Sequence, residues 1–385
     1  MAKTKPTHKK KKQGKKALIE TPEQLLTIAA TLLQTSQAAE ALPIAEKALS
    51  DLTKSSSSPT IASLPALSLI AEIYIELGDP ETAREQFLLA ATLDPDGDIL
   101  DAAGGGAEKF LWLAQLCEDG GAESIGWFQK GAQVLRKQLA ELEGKTGVEA
   151  QDLQEKKLKL ANALCGIAEV YMTDLSWEEE AETRCEASIT EALLVAPNSP
   201  EALQTLASIR ISQSRLDDAK AALSRSMEIW KELSPEDPAV PDFSTRISLA
   251  RLLMETEMEE DALEVLERLV IEDDSSVEAW YLGGWCHYLI GEKQKKTASS
   301  SGSASNNNGE WISQWKASGI WLQRCLKLYD MLDYEDERLG DHAKELTGNL
   351  IKEIGPIPDE ESDNDDGWED ADGSDGDGDQ TMDGT

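Results

Sequence analysis

The sequence predicts an all-α fold, a right-handed superhelical solenoid of stacked helix pairs closed by a C-terminal capping helix. Three observations lead there. Between residues 64 and 95, Leu67, Ile70, Ala71 and Tyr74 fall at i, i+3, i+4 and i+7, one apolar face of a helix. Gly78-Asp79 breaks that helix, and Ala83, Phe87 and Ala90 define a second one that stops at Leu93-Asp94-Pro95. The same spacing then recurs along the chain about seven times. Composition agrees: aromatics are 5%, β-branched runs are absent, and Ala, Leu and Glu dominate, so strands have little support.

Small residues facing a Phe across a helix pair, in a unit of about 34 residues, resemble the tetratricopeptide repeat. An N-terminal copy carries Leu25, Ile28, Ala29 and Leu32, then Ala41, Ala45 and Ala48. A degenerate third copy has Phe110, Leu113, Ala114 and Cys117, a turn at Gly120-Gly121, then Ser124, Phe128 and Gly131. The fourth reads Leu164, Ile167, Ala168 and Tyr171, with about five extra residues in its turn, then Cys185, Ile189 and Ala192. The fifth has Leu203, Leu206 and Ala207 with Ala219, Leu223 and Ser226, and the sixth has Arg246, Leu249, Ala250 and Leu253 with Ala262, Leu266 and Leu269. The seventh opens at VEAWYLGGWCHYLIG and resumes with Ser318, Leu322 and Cys325.

Between those halves lies a Ser/Asn/Gly tract, read as a flexible insertion at about 292–313 on one rim of the solenoid. Residues from about 335 to 353 form one more helix, which caps the last repeat. The expected organisation is therefore a Lys-rich head of disordered composition over 1–20, the repeat array over 21–353, and an acidic disordered tail over 354–385.

Enzymatic parts are missing. His8, His287 and His342 are the only histidines, and no Ser/His/Asp set, phosphate loop or metal spacing accompanies them. No catalytic residue, metal site or cofactor is expected. The five cysteines lack a CxxC spacing and read as buried free thiols, suited to a reducing compartment. No apolar stretch approaches the roughly 18 residues of a membrane span, and the lysine-rich start has no apolar core of a secretion signal.

Charge is specific about partners. The first sixteen residues hold eight lysines and no acid, and residues 359–385 hold thirteen acids and no Lys or Arg. Taking +8 and −13 off the formal −36 leaves about −31 on the body between them. A surface of that sign repels nucleic acid and attracts a basic partner, so no direct nucleic-acid binding is expected. In repeats of this kind the first helices line the concave surface. Their inward positions give Glu72, Glu76, Glu118, Asp119, Glu169, nearby Asp174 and Glu255, ending in Tyr281, Trp285 and Tyr288. Carboxylates and rings together suit an extended Arg- and Lys-rich segment. The plainer alternatives stay open: Glu is a favoured helix former on any solvated face, and the aromatics also suit packing under the cap. The clamp by which some of these repeats hold acidic chaperone tails is absent, since Leu26, Ala30, Ser68 and Glu72 occupy its positions.

The order of a Lys-rich head (Lys9 to Lys12, Lys15, Lys16), an acidic repeat array with a late insertion, and an acidic tail holding Gly367-Trp368-Glu369-Asp370 resembles the fungal assembly chaperones of the large-subunit ribosomal protein "L four". The resemblance implies a monomer that captures the basic internal extension of that newly made protein in a 1:1 complex. It also implies a chaperone of cytoplasm and nucleus that serves ribosome biogenesis, escorting its partner and releasing it on the preribosome. A generic scaffold or adaptor, or a histone chaperone, is the competing reading. The lysine head is a candidate nuclear localisation signal. The tail reads either as an RNA mimic or as a solubilising segment.

Overall fold

The computed structural model describes residues 20–54, 58–143, 150–300 and 308–357, and among them all regular structure is helical. The chain divides into two units, residues 1–213 and 214–385. In the N-terminal unit the helices are α1 (Pro22–Gln34), α2 (Ala38–Thr53), α3 (Leu64–Glu76), α4 (Pro80–Leu93), α5 (Glu108–Gln115), α6 (Gly121–Glu143), α7 (Ala150–Met172), α8 (Ala181–Val195) and α9 (Pro200–Ser212). The C-terminal unit holds α10 (Leu216–Trp230), α11 (Phe243–Glu255), α12 (Glu259–Glu272), α13 (Val277–Ser300), α14 (Asn308–Leu332) and α15 (Glu337–Ile354). The fifth predicted repeat, α9 with α10, is thus shared between the units.

Each pair forms for reasons visible in its residues. Asp79 accepts from the Thr82 amide at 3.0 Å and from its hydroxyl at 2.7 Å, and Pro80 opens α4 where its missing N–H costs nothing. Ser199-Pro200 repeats the device on α9, and Thr21-Pro22 with Gln24 makes a full capping box on α1. The predicted faces are the buried ones: Leu67, Ile70 and Ala71 against Ala83, Phe87 and Ala90, and Ala41, Ala45 and Ala48 on α2. Ile28 departs from the pattern and is exposed.

The third repeat is irregular because α5 is one short helix of eight residues followed by the 23-residue α6. The fourth repeat's residues occupy the C-terminal half of α7, and its enlarged turn spans 173–180 before α8. Gly166 lets the Phe128 ring of α6 lie directly on α7; a Cβ there would sit 2.5 Å from the ring.

Two expectations need correction. Residues 292–300 and 308–313 are helical, extending α13 and α14, so the described part of the segment read as a flexible insertion is regular helix; residues 301–307 lie outside the described residues. Helix-favouring Glu, Lys, Gln and Ala in EKQKKTA explain the extension, with a Glu292–Lys296 pair at 3.3 Å one turn apart. Residues 354–357, expected to belong to the tail, are part of the folded body. Ile354 closes α15, and Ile357 is buried against Gly319 of α14. The lysine head before Glu20 and the acids beyond Ile357 lie outside the described residues.

α15 is the cap. It buries Leu339, Ala343, Leu346 and Leu350 along one face and is started by Asp336, which accepts from the Arg338 and Leu339 amides.

Candidate functional site

The acids singled out in the N-terminal unit do not share one environment. Glu72, midway along α3, is half-buried in a cleft of about 340 Å³ walled by α3, α5, α7 and the 94–108 connection. That connection is fixed from inside. Lys109, fully buried, donates to Asp94 at 2.8 Å and to the Gly106 carbonyl at 2.6 Å, while Asp94 also accepts from the amides of Asp98 and Ile99. Burial pulls the Lys109 ammonium below its ordinary range and the paired Asp94 opposes it. Gly104 lies against the backbone of Pro65 at φ +75°, where a side chain does not fit. This scaffold delivers Asp101 and Glu108 to the cleft.

Two lysines of α7 answer them. Lys159 pairs with Glu108 at 3.1 Å and Glu155 at 3.2 Å, and Lys156 pairs with Asp101 at 2.5 Å. Burial raises the Glu72 carboxyl above the usual carboxylate range; Glu108 adds to the shift and Lys159 opposes it. The lining of this cleft is therefore mixed in sign. Glu155–Lys159 at i, i+4 was a legible signal, whereas Glu108 and Asp101 reach the site only through the folded connection.

Glu169 on α7 keeps a solvent-exposed face yet accepts from the Thr205 hydroxyl of α9 at 3.2 Å; the surrounding protein raises its carboxyl. Asp174 has a structural task, since it accepts from the Gly121 amide at 2.9 Å and caps the start of α6. Glu76, Glu118 and Asp119 are exposed, the first on the last turn of α3 and the others in the α5–α6 connection.

In the C-terminal unit Glu255 is exposed at the end of α11. Tyr281 is buried, its hydroxyl 2.7 Å from His342 Nδ1 on the cap and its phenol pushed up to about 12 by burial. Trp285 is half-buried with its ring edge-on to His342 at 5.0 Å. Both side chains pack against His342 of α15, a placement that the plainer of the two readings given above accommodates. Tyr288 stands apart, stacked on Trp315 of α14 at 5.7 Å.

No group of His, Cys, Asp and Glu among the described residues is arranged to hold a metal, and no described helix is long and apolar enough to cross a membrane. Burial lifts the thiols of Cys165 and Cys325 to about 12, far from a reactive thiolate.

Residues 64–96 match the tetratricopeptide repeat model. A "Probable assembly chaperone of rpl4" from Emericella nidulans is 51% identical over 92% of this chain and 88% of its own length. The protein of the same description from Schizosaccharomyces pombe is 33% identical over 89% of this chain and 94% of its own. The chain belongs to the family of assembly chaperones of rpl4. A solved structure described as "Assembly Chaperone of RpL4 (Acl4) (Residues 1-338)" is 47% identical, covers 72% of this chain and 100% of its own, and superposes with a TM-score of 0.64. This family member is thus a non-enzymatic chaperone on an all-α tetratricopeptide fold, as its sequence predicted.

Proposed function

We propose that this family member is an assembly chaperone of rpl4 that holds the basic internal extension of the newly made ribosomal protein against its acidic surface. The observation that carries this reading is the surplus of about 31 negative charges on the body between head and tail, in a chain 51% identical to a relative named for that task. An extended basic segment binds any RNA it meets, and a carboxylate-rich sheath that competes with phosphates keeps it soluble. Exchange onto ribosomal RNA then releases it, because phosphates at higher density replace carboxylates. Escort into the nucleus and a 1:1 complex of one chaperone with one partner belong to the same proposal.

Glu76, Glu118, Asp119 and Glu255 are the contacts this reading favours, since they are exposed and no side-chain bond of theirs is needed by the fold. The test is calorimetric titration of the chain with the rpl4 extension. Changing all four to Lys is expected to weaken binding by about 2–4 kcal/mol, at ~0.5–1 kcal/mol for each exposed pair. Unchanged affinity with intact helical circular dichroism would remove these residues from the interface. Recovery of histones rather than one stoichiometric ribosomal protein from extract would replace the partner.

A further inference from the structure

One cleft of the C-terminal unit is lined by more bases than acids. It measures about 590 Å³, lies between α13, α14 and α15, and is lined by the Tyr288–Trp315 stack with Lys295, Lys296 and Lys352 and with the carboxylates Glu292 and Glu353, Glu292 pairing with Lys296 at 3.3 Å. Lys295 lies over the Trp315 ring at 4.5 Å and the Trp311 ring at 5.1 Å, and it pairs with Glu353 at 2.8 Å. Lys352 is exposed on the last turn of α15 and has no carboxylate within ion-pair distance among the described residues. In a chain with 73 acids against 37 bases, three ammonium groups against two carboxylates around an aromatic stack leave a local positive excess, with Lys352 as the cation that no cleft carboxylate answers.

The chain's own exit points at it. Ile357 is seated on Gly319, one helical turn along α14 from Trp315, so the segment that follows begins beside the cleft wall. That segment is strongly anionic. Residues 359–370 carry eight acids and one aromatic, Trp368, eleven residues beyond Ile357, a reach of up to about 36 Å. Carboxylates for the lysines and an indole for the Tyr288–Trp315 stack match the lining in both charge and ring chemistry.

We propose that residues 359–370 of the tail dock in the Lys295–Lys296–Lys352 cleft of the free protein. The docked tail parks its carboxylates on the chain itself, and a basic ligand that pairs with those carboxylates lifts it off. The inference concerns the unliganded chain and does not depend on who the partner is.

Carbodiimide coupling of the full-length free protein tests it, because the reagent joins a lysine amine only to a carboxylate in contact. Peptide mass spectrometry is expected to find links from Lys295, Lys296 or Lys352 to acids within 359–370. A mixture of isotopically heavy and light copies should give them within one copy. In the Lys296→Glu/Lys352→Glu variant, whose two sites are exposed and whose circular dichroism should be unchanged, the yield of links from the retained Lys295 should drop about fivefold or more, as it should in high salt. Tail links confined to the lysine head, tail links formed between heavy and light copies, or an undiminished yield of Lys295 links in the double variant would each overturn the proposal.

Discussion

At the residue scale, one backbone position recurs through both units. Gly78 has φ +75° in the turn between α3 and α4, and Ser36, Ser214 and Glu257 take the same place, two residues before the next helix, at φ 56°, 59° and 60°. A left-handed residue with a Cβ costs roughly 1–2 kcal/mol. A Cβ on Gly78 would meet nothing within 4 Å, so Gly78→Ala tests backbone conformation alone. It is expected to destabilise by about 1 kcal/mol, and Glu257→Gly is expected to stabilise, both read by denaturant unfolding. Buried Lys109 offers a larger effect. Lys109→Met strands Asp94, which is 3% exposed, and should cost about 3–5 kcal/mol; adding Asp94→Asn should recover part of it. Glu72 gives a pH-dependent test. Its carboxyl is raised in the folded chain, so its contribution is most favourable at acid pH and declines as pH rises through the folded value. Glu72→Gln should therefore raise the melting temperature at pH 7 and leave it unchanged below about pH 4. An equal effect at both pH values would assign the change to packing.

At the element scale, the α13–α14–α15 assembly explains why the chain's aromatics concentrate near its C-terminal end. Glycines of α13 receive rings and branched side chains of α14: Gly283 faces Trp321, Gly284 faces Leu322 and Gly291 faces Trp315. A Cβ on Gly291 would lie 2.3 Å from the Trp315 ring, so these glycines set the distance between the two helices. Ser318 donates to the Gly284 carbonyl at 2.7 Å across the same seam. The cap is tied on by Tyr281 and Trp285 through His342. Trp285→Ala is expected to lower stability by about 2–3 kcal/mol through lost packing, and Tyr281→Phe by about 1 kcal/mol through the lost hydrogen bond. An unaltered melting curve for Trp285→Ala, combined with weakened partner binding, would return Trp285 to the interface.

At the scale of the whole molecule, the formal charge of −36 governs encounter more than residence. Raising ionic strength from about 0.05 to 0.5 M shortens the screening length from roughly 14 to 4 Å. The association rate with the basic partner should then fall at least about tenfold, with a smaller change in dissociation rate. Stopped-flow measurement distinguishes this from an apolar interface, whose association rate would stay nearly flat.

The sequence by itself determined the helix pairs, their buried faces and the sign of the surface field. Those follow from local periodicity, turn residues such as Gly78-Asp79-Pro80, and a sum of charges, none of which requires knowing where distant residues meet. Tertiary structure decided what the individual acids and rings do. Asp174 is committed to the Gly121 amide 53 positions away, and Glu72 shares its cleft with Lys159 of α7. Tyr281 is turned to His342, 61 positions on. The polar tract after Gly291 has the local propensity to extend α13, and the extension is held where Lys295 lies over Trp311 and Trp315 of α14, a contact between two helices that local propensity does not specify. Inward spacing on a repeat fixes which face a residue occupies; the partner it meets there depends on chain brought in from another repeat, and that is set by packing alone.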